Sequence, residues 1–341
     1  MPRLCGVRFS TGYDSGSLAA SAVAFTIFAM ANQLWLLFAS RMLAGFANAN
    51  ISTAQAYVTD ITLPKERAAK MGLVGAAFNL GFIIGFPIGG ILSSVYGNSA
   101  PAFFAAAISL INCLAALAIL PESYPVEKRT PHKRGMSAGT LAVIKTTSKN
   151  LVTFWRKPAL SRILTAFFLF TIAFSIIHVT FVEYGRDILE MTPRDRGFVF
   201  MFLGIVGAFT QAVLVRRMVK RFGESRVVEI GLVIMAFGLA MIPFLPTISL
   251  LYVGTTFIAL GNSLVTPAVM AIISIRSSEG EQGTAMGVTQ SMGSLGRILG
   301  PPFGGITYAR ISYHFPFLAA AGAAIIALVI YASRPGRTMK N

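Results

Sequence analysis

The sequence predicts an all-α polytopic membrane protein with about ten transmembrane helices, built as a parallel repeat of two helical bundles. Three observations predict it: a scarcity of charge, apolar runs of membrane-spanning length, and an internal repeat at an offset of 215 residues. Only 12% of the 341 residues are charged, 55% are hydrophobic, and the mean hydropathy is +0.68. Soluble domains carry roughly 25% charged residues, so a deficit sustained over this length means that most of the chain meets lipid. The formal net charge of +16 in a soluble protein would suggest nucleic acid. Here the basic residues lie in short gaps between apolar runs, which points to the lipid bilayer as partner and excludes a nucleic-acid reading.

A helix needs about 20 apolar residues to cross the hydrocarbon core. Runs of that kind lie at 16–31, 34–58, 70–94, 100–120, 161–183, 197–215, 227–245, 248–274, 283–308 and 313–332. A charged hairpin, Asp60 to Lys70, separates the second from the third. Residues 121–160 carry Pro125, Pro131 and eight Lys/Arg from Lys128 to Lys157, the composition of a basic cytoplasmic linker. The chain therefore divides into 1–120, a partial N-terminal bundle of four helices, the linker 121–160, and 161–341, a bundle of six. Arg3, Arg8 and the apolar run from Ser17 to Ala31 also fit a cleavable signal, but the repeat assigns this segment to a helix. Cys5 lies in the N-terminal segment and Cys113 in mid-helix, so no disulfide is expected, and there is no zinc-type spacing.

Placing the N-terminus inside and alternating thereafter puts 23 Lys/Arg on the inner side, among them Lys65, Arg67, Arg216, Arg217, Lys220 and Arg334. Four, Arg186, Arg194, Arg196 and Arg310, fall outside, and Arg41 and Arg297 are intramembrane. One consistent alternation thus satisfies the positive-inside rule and predicts cytoplasmic N- and C-termini.

Lys65–Ile91 aligns without gaps to Gly280–Ile306, with 11 identities in 27 positions, including Gly81/Gly296, Gly85/Gly300, Pro87/Pro302, Gly89/Gly304 and Gly90/Gly305. Both copies cross the membrane in the same sense. The same offset carries 227–245 onto 12–30 and puts the counterparts of 161–215 ahead of Met1. The sequence therefore predicts a parallel repeat lacking its first two helices.

Several residues stand out against the apolar background. Gly81-Phe82-Ile83-Ile84-Gly85-Phe86-Pro87-Ile88-Gly89-Gly90 and Gly296-Arg297-Ile298-Leu299-Gly300-Pro301-Pro302-Phe303-Gly304-Gly305 place small residues at every fourth position, which lets helix backbones approach closely in lipid. Proline removes a helical hydrogen bond and bends the helix. The pattern at two corresponding positions favours a hinge between bundles over ordinary glycine packing. Arg41 heads a helical stripe with Gly45, Asn48, Ser52 and Gln55. An intramembrane charge costs at least ~2.5–3.5 kcal/mol and usually marks function, although a snorkelling side chain is the bland reading. Arg297 has the same two readings, and its repeat counterpart is Phe82. Asn262, Ser263 and Thr266 form a second polar patch, as a substrate-cavity wall or as packing glue. Glu183 closes the fifth helix on the outer side as a carboxylate placed for proton work or simply solvated, with His178 about one turn deeper. Asp60 caps the next helix or pairs with basic loop residues near Arg67 as a cytoplasmic latch. There is no P-loop, metal cluster or nucleophile elbow, which argues against an enzyme and against any cofactor other than a proton gradient.

These residues resemble the major facilitator superfamily, specifically its 12-helix drug:proton antiporter branch, which includes tetracycline exporters. The similarity runs from about Ser17 to the end. Arg41-Met42-Leu43-Ala44-Gly45 matches that family's Arg-x-x-x-Gly motif on its fourth helix, and the resemblance implies a proton-coupling role for Arg41. Gly81 to Gly90 resembles the antiporter signature Gly-x-x-x-Gly-Pro-x-x-Gly-Gly, with Phe86 at the proline position and Pro87 following it. Gly296 to Gly305 matches it fully. Tyr57 to Arg67 and Pro121-Glu122-Ser123 are further points of similarity. The family's charged loop motif is nearly absent at Met1–Thr11, where only Gly6 and Arg8 are reminiscent of it. In its second copy Arg221-Phe222-Gly223 is kept, with Lys220 where an acid belongs. The resemblance implies a monomeric exporter of the cell membrane that moves small amphipathic, drug-like compounds by alternating access, in exchange for protons. A sugar or metabolite uniporter or symporter, and an inactive or truncated transporter fragment, are the other readings.

Overall fold

The computed structural model describes residues 11–47, 67–119, 158–277 and 282–333, and among them all regular structure is helical. The helices are α1 (Thr11–Met30), α2 (Leu34–Ala47), α3 (Arg67–Tyr96), α4 (Ala100–Ile119), α5 (Pro158–Asp187), α6 (Pro193–Phe209), α7 (Val215–Met241), α8 (Ile248–Arg276), α9 (Gln282–Arg310) and α10 (Phe315–Ala332). Each overlaps one of the apolar runs. Five stretches are long and apolar enough to cross a membrane, namely Ala100–Ala118, Leu160–Asp187, Pro193–Phe244, Ile248–Arg276 and Phe315–Ala332. α9 spans 29 residues but trades large apolar side chains for Gly, Ser, Thr and Arg297. The repeat holds in a helix boundary: α4 and α10 begin 215 positions apart, at Ala100 and Phe315.

The basic segment Arg216–Arg226, expected as a loop, is helical instead. A π-helical turn, Thr210–Leu214, joins α6 to α7, with the Val215 N–H donating to the Thr210 carbonyl. Arg216, Arg217, Lys220 and Arg221 then lie within α7. Arg and Lys are good helix formers, so nothing in this stretch forces unwinding until Gly223. There φ is 76° and ψ 157°, a region open almost only to glycine. Gly223→Ala is therefore expected to destabilise the protein by about 1–3 kcal/mol, read as a lower unfolding midpoint of the purified protein. A midpoint equal to that of the unaltered chain would mean the kink can relax. α3 continues as helix through Pro87, and α9 through Pro301 and Pro302.

Two compact units result, the first being Met1–Lys133 with Pro193–Phe198 and the second Arg134–Thr192 with Val199–Asn341. In the first, α1 packs on α2 and α4, and α3 lies beside α4. The buried faces are small, formed by Ala22, Ala24, Ala29, Ala102, Ala106, Cys113 and Ala116, while Trp35, Phe38, Ile111 and Leu114 point outward. Lipid tails are as apolar as leucine, so close backbone approach rather than hydrophobic sorting joins such helices.

The second unit contains the large core. α9 and α10 pack on α5, and α7 packs on α8 and α10. Leu164, Phe181 and Tyr184 of α5, Leu232, Met235 and Leu239 of α7, Leu251, Ile258 and Leu264 of α8 and Phe317 of α10 are fully buried. A Cβ on Gly261 would stand 2.6 Å from the Gly231 carbonyl oxygen, so α7 and α8 touch through their backbones. Polar side chains fasten the ends. The Tyr184 hydroxyl donates to the Leu245 carbonyl (3.0 Å), Ser225 and Tyr331 share a hydrogen bond of 2.8 Å, and Arg162 donates to the Ser333 carbonyl (2.9 Å).

Candidate functional site

The first unit holds a recess of about 960 Å³ lined by Phe25 of α1, Arg41 of α2 and Ala77, Gly81, Phe82, Gly85 and Phe86 of α3. Its construction follows from the local sequence. Gly81 and Gly85 sit one turn apart and remove side chains from one strip of α3. A Cβ added at either would meet no atom within 4 Å. Phe82 and Phe86, also one turn apart, flank that strip, their rings 5.4 Å apart and tilted by 42°. Arg41 closes the recess with its guanidinium 3.7 Å from the centre of the Phe28 ring. Such a contact lowers the cost of holding the cation among apolar walls, and leaves Arg41 partly exposed toward the recess. One cation among three phenylalanines is a surface that suits an amphipathic organic molecule: aromatic or alkyl parts against the rings, an acceptor group toward the guanidinium.

The second copy of the glycine pattern is used otherwise. A Cβ on Gly296 would lie 2.9 Å from Thr171 Cβ, one on Gly300 2.9 Å from Ser175 Cβ and one on Gly304 3.0 Å from Thr180 Cγ2. Here α9 presses its glycine face directly onto α5, and Ser175 Oγ donates to the Gly296 carbonyl at 3.1 Å. Equivalent positions of the repeat are thus packed in one unit and open in the other. At the far end of α3, Gly90 approaches Pro193–Gly197 of the same unit, a Cβ there standing 2.6 Å from the Pro193 carbonyl oxygen.

Arg297 is exposed on α9 and donates to Ser294 Oγ at 3.2 Å. His178 is exposed on α5, edge-on to Phe174 at 5.1 Å. Both lie in the second unit. Glu183 pairs with Arg186, which also donates to Asp187 Oδ1 at 2.8 Å, and Asp187 accepts from the Tyr308 hydroxyl at 3.3 Å. This group ties the C-terminal ends of α5 and α9. Ser263 is buried against α6, its Oγ 3.1 Å from where a Gly207 Cβ would stand, while Asn262 and Thr266 are half-buried. Arg221 lies 5.2 Å from the Phe222 ring, beside the Gly223 kink. Arg67 is the first residue of α3. Asn48, Ser52, Gln55 and Asp60 lie outside the described residues. Among the described residues no cluster of His, Cys, Asp or Glu could hold a metal.

Phe25 and Phe28 lie outside every motif singled out in the sequence, and Phe82 and Phe86 stand out there only as members of the glycine pattern. The phenylalanine at i+1 of each glycine in the Gly81/Gly85 strip is a signal that could have found two of them.

The family model described as Major Facilitator Superfamily matches residues 15–219 and 189–341. Multidrug resistance protein 2 of Bacillus subtilis (strain 168) is 32% identical over 306 residues, covering 89% of this chain and 73% of that protein. Tetracycline resistance protein, class C, of Escherichia coli is 27% identical over 325 residues, covering 94% of this chain and 78% of that one. The crystal structure of the human organic anion transporter MFSD10 aligns with a TM-score of 0.68 at 24% identity, over 94% of this chain and 76% of that one. The chain thus spans about three quarters of the length of these relatives.

Proposed function

The chain belongs to the major facilitator superfamily, and from that premise we propose that it exports small amphipathic organic compounds in exchange for protons, by alternating access. The observation that carries this reading is the recess in which Arg41 faces Phe25, Phe82 and Phe86. It offers apolar rings for a compound that partitions into membranes, and one permanent cation that attracts acceptor groups and favours the ionised form of a nearby acid. The similarity to proteins named for multidrug and tetracycline resistance points the same way. Similarity to an organic anion transporter keeps anionic compounds among the substrates to be tried. An intramembrane acid that takes up and releases a proton would bias the inward-open and outward-open states.

The experiment is dye retention in bacteria expressing the chain. Cells carrying it should accumulate less ethidium than cells carrying an empty vector, and a proton uncoupler should erase the difference. Reduced accumulation that survives the uncoupler would replace the proton gradient with another energy source.

A second reading rests on the unequal use of the repeat. In the second unit the glycine face is covered by α5, whereas the matching face of α3 is open. On that reading the recess receives a transmembrane helix, and the chain transports nothing without it. Cysteine placed at Ala77 separates the two readings: a soluble maleimide labels a solvent-filled substrate recess and spares a helix-filled one.

A further inference from the structure

A second recess lies in the second unit, where α6 passes into α7. It has a volume of about 390 Å³ and is lined by Ala212, Val213, Arg216, Arg217 and Lys220. Val213, Arg216, Arg217 and Lys220 follow one another at spacings of three, one and three, so they share one face of the helix. The π turn Thr210–Leu214 adds a residue to the helix just before the three cations. Such turns recur at functional sites. Arg216, Arg217 and Lys220 are all exposed, and among the described residues none forms an ion pair with a carboxylate. The charge distribution assigns this end to the inside, where the leaflet is anionic. The apolar wall, Ala212 and Val213, lies toward the membrane-spanning part of α6, and the cations lie toward the aqueous end.

We infer that this recess is a binding site for the phosphate headgroup of an anionic phospholipid. The two guanidinium groups supply planar pairs of donors that match phosphate oxygens. Lys220 adds a point charge one turn farther along, and the first acyl carbons lie against Ala212 and Val213. A freely dissolved phosphate would have no use for the apolar wall, and a zwitterionic headgroup would bring its own cation against three others. The site lies in the second unit and does not depend on which compound is transported.

The test is native mass spectrometry of the purified full chain in detergent, titrated with phosphatidylglycerol or phosphatidylcholine of the same acyl chains. The unaltered protein should retain phosphatidylglycerol at least about tenfold more tightly than phosphatidylcholine, since each juxtamembrane cation is worth a factor of several. Arg216→Gln/Arg217→Gln/Lys220→Gln should abolish that preference. Arg221→Gln/Arg226→Gln, on the same helix but outside the recess, should keep it. Circular dichroism and elution volume establish that each variant is folded, and Arg216→Lys/Arg217→Lys, which keeps the charge but not the planar donors, should retain only part of the preference. Loss of preference in the Arg221/Arg226 variant equal to that in the recess variant would overturn the site in favour of diffuse attraction. Displacement of phosphatidylglycerol by excess inorganic phosphate would overturn the lipid assignment in favour of a soluble anion.

Discussion

Arg41→Ala is expected to lower ethidium export by a factor on the order of 10 to 100, the span of an ordinary coupling free energy, with unchanged protein in the membrane fraction. Arg41 is the cation of the recess, it lies over Phe28 at 3.7 Å, and it faces Phe25, Phe82 and Phe86 rather than a structural partner. Its removal deletes no ion pair among the described residues and leaves α1 and α2 packed through other residues. A folded but inactive protein is the outcome that this arrangement predicts. Arg41→Lys should recover part of the activity, because a compact ammonium keeps the charge but not the planar stacking on Phe28. Export by Arg41→Ala at the unaltered rate would remove Arg41 from the mechanism.

The second large effect is a contrast between repeat-related positions. Gly300→Leu should abolish accumulation of folded protein, since even a Cβ there stands 2.9 Å from Ser175 Cβ and 3.0 Å from the Ile172 carbonyl oxygen. Overpacking of a close interface costs roughly 1–3 kcal/mol and sometimes more. Here the neighbour is partly backbone, which cannot rotate away. Gly85→Leu, 215 positions earlier, meets no atom within 4 Å. Its product should fold, be recovered at normal yield, and transport poorly because a leucine fills the recess beside Arg41. Yield measured by fluorescence-detected size exclusion, with export measured alongside, distinguishes the two. Equal loss of yield in both variants would show that the α3 face is packed in the cell.

That contrast marks where the sequence stops being legible. The helices and the repeat could be read directly, because lipid imposes an apolar length on every spanning helix. The glycine pattern reveals a smooth helix face and not what lies on it, so Gly81–Gly90 and Gly296–Gly305 looked alike and serve different ends. Arg216–Arg226 read as a loop because charge usually marks the water side, yet a helix can continue beyond the membrane and break only at Gly223. Ser263 reads from its hydroxyl as a cavity wall or as packing glue, and the structure sets that hydroxyl beside Gly207. Glu183 reads as a carboxylate placed for proton work or simply solvated, and the structure pairs it with Arg186 three residues later. Pairing within one turn is visible in the sequence once helix spacing is applied to it.

The most direct test of proton-coupled export is made with the purified chain in liposomes that enclose a pH-sensitive dye. With the interior buffered below the exterior, addition of ethidium outside should accelerate the rise in internal pH, because each molecule taken up is exchanged for protons released. The effect should be absent with Arg41→Ala. Ethidium uptake at the full rate with no change in internal pH would contradict the account and identify the chain as a facilitator driven by the substrate gradient alone.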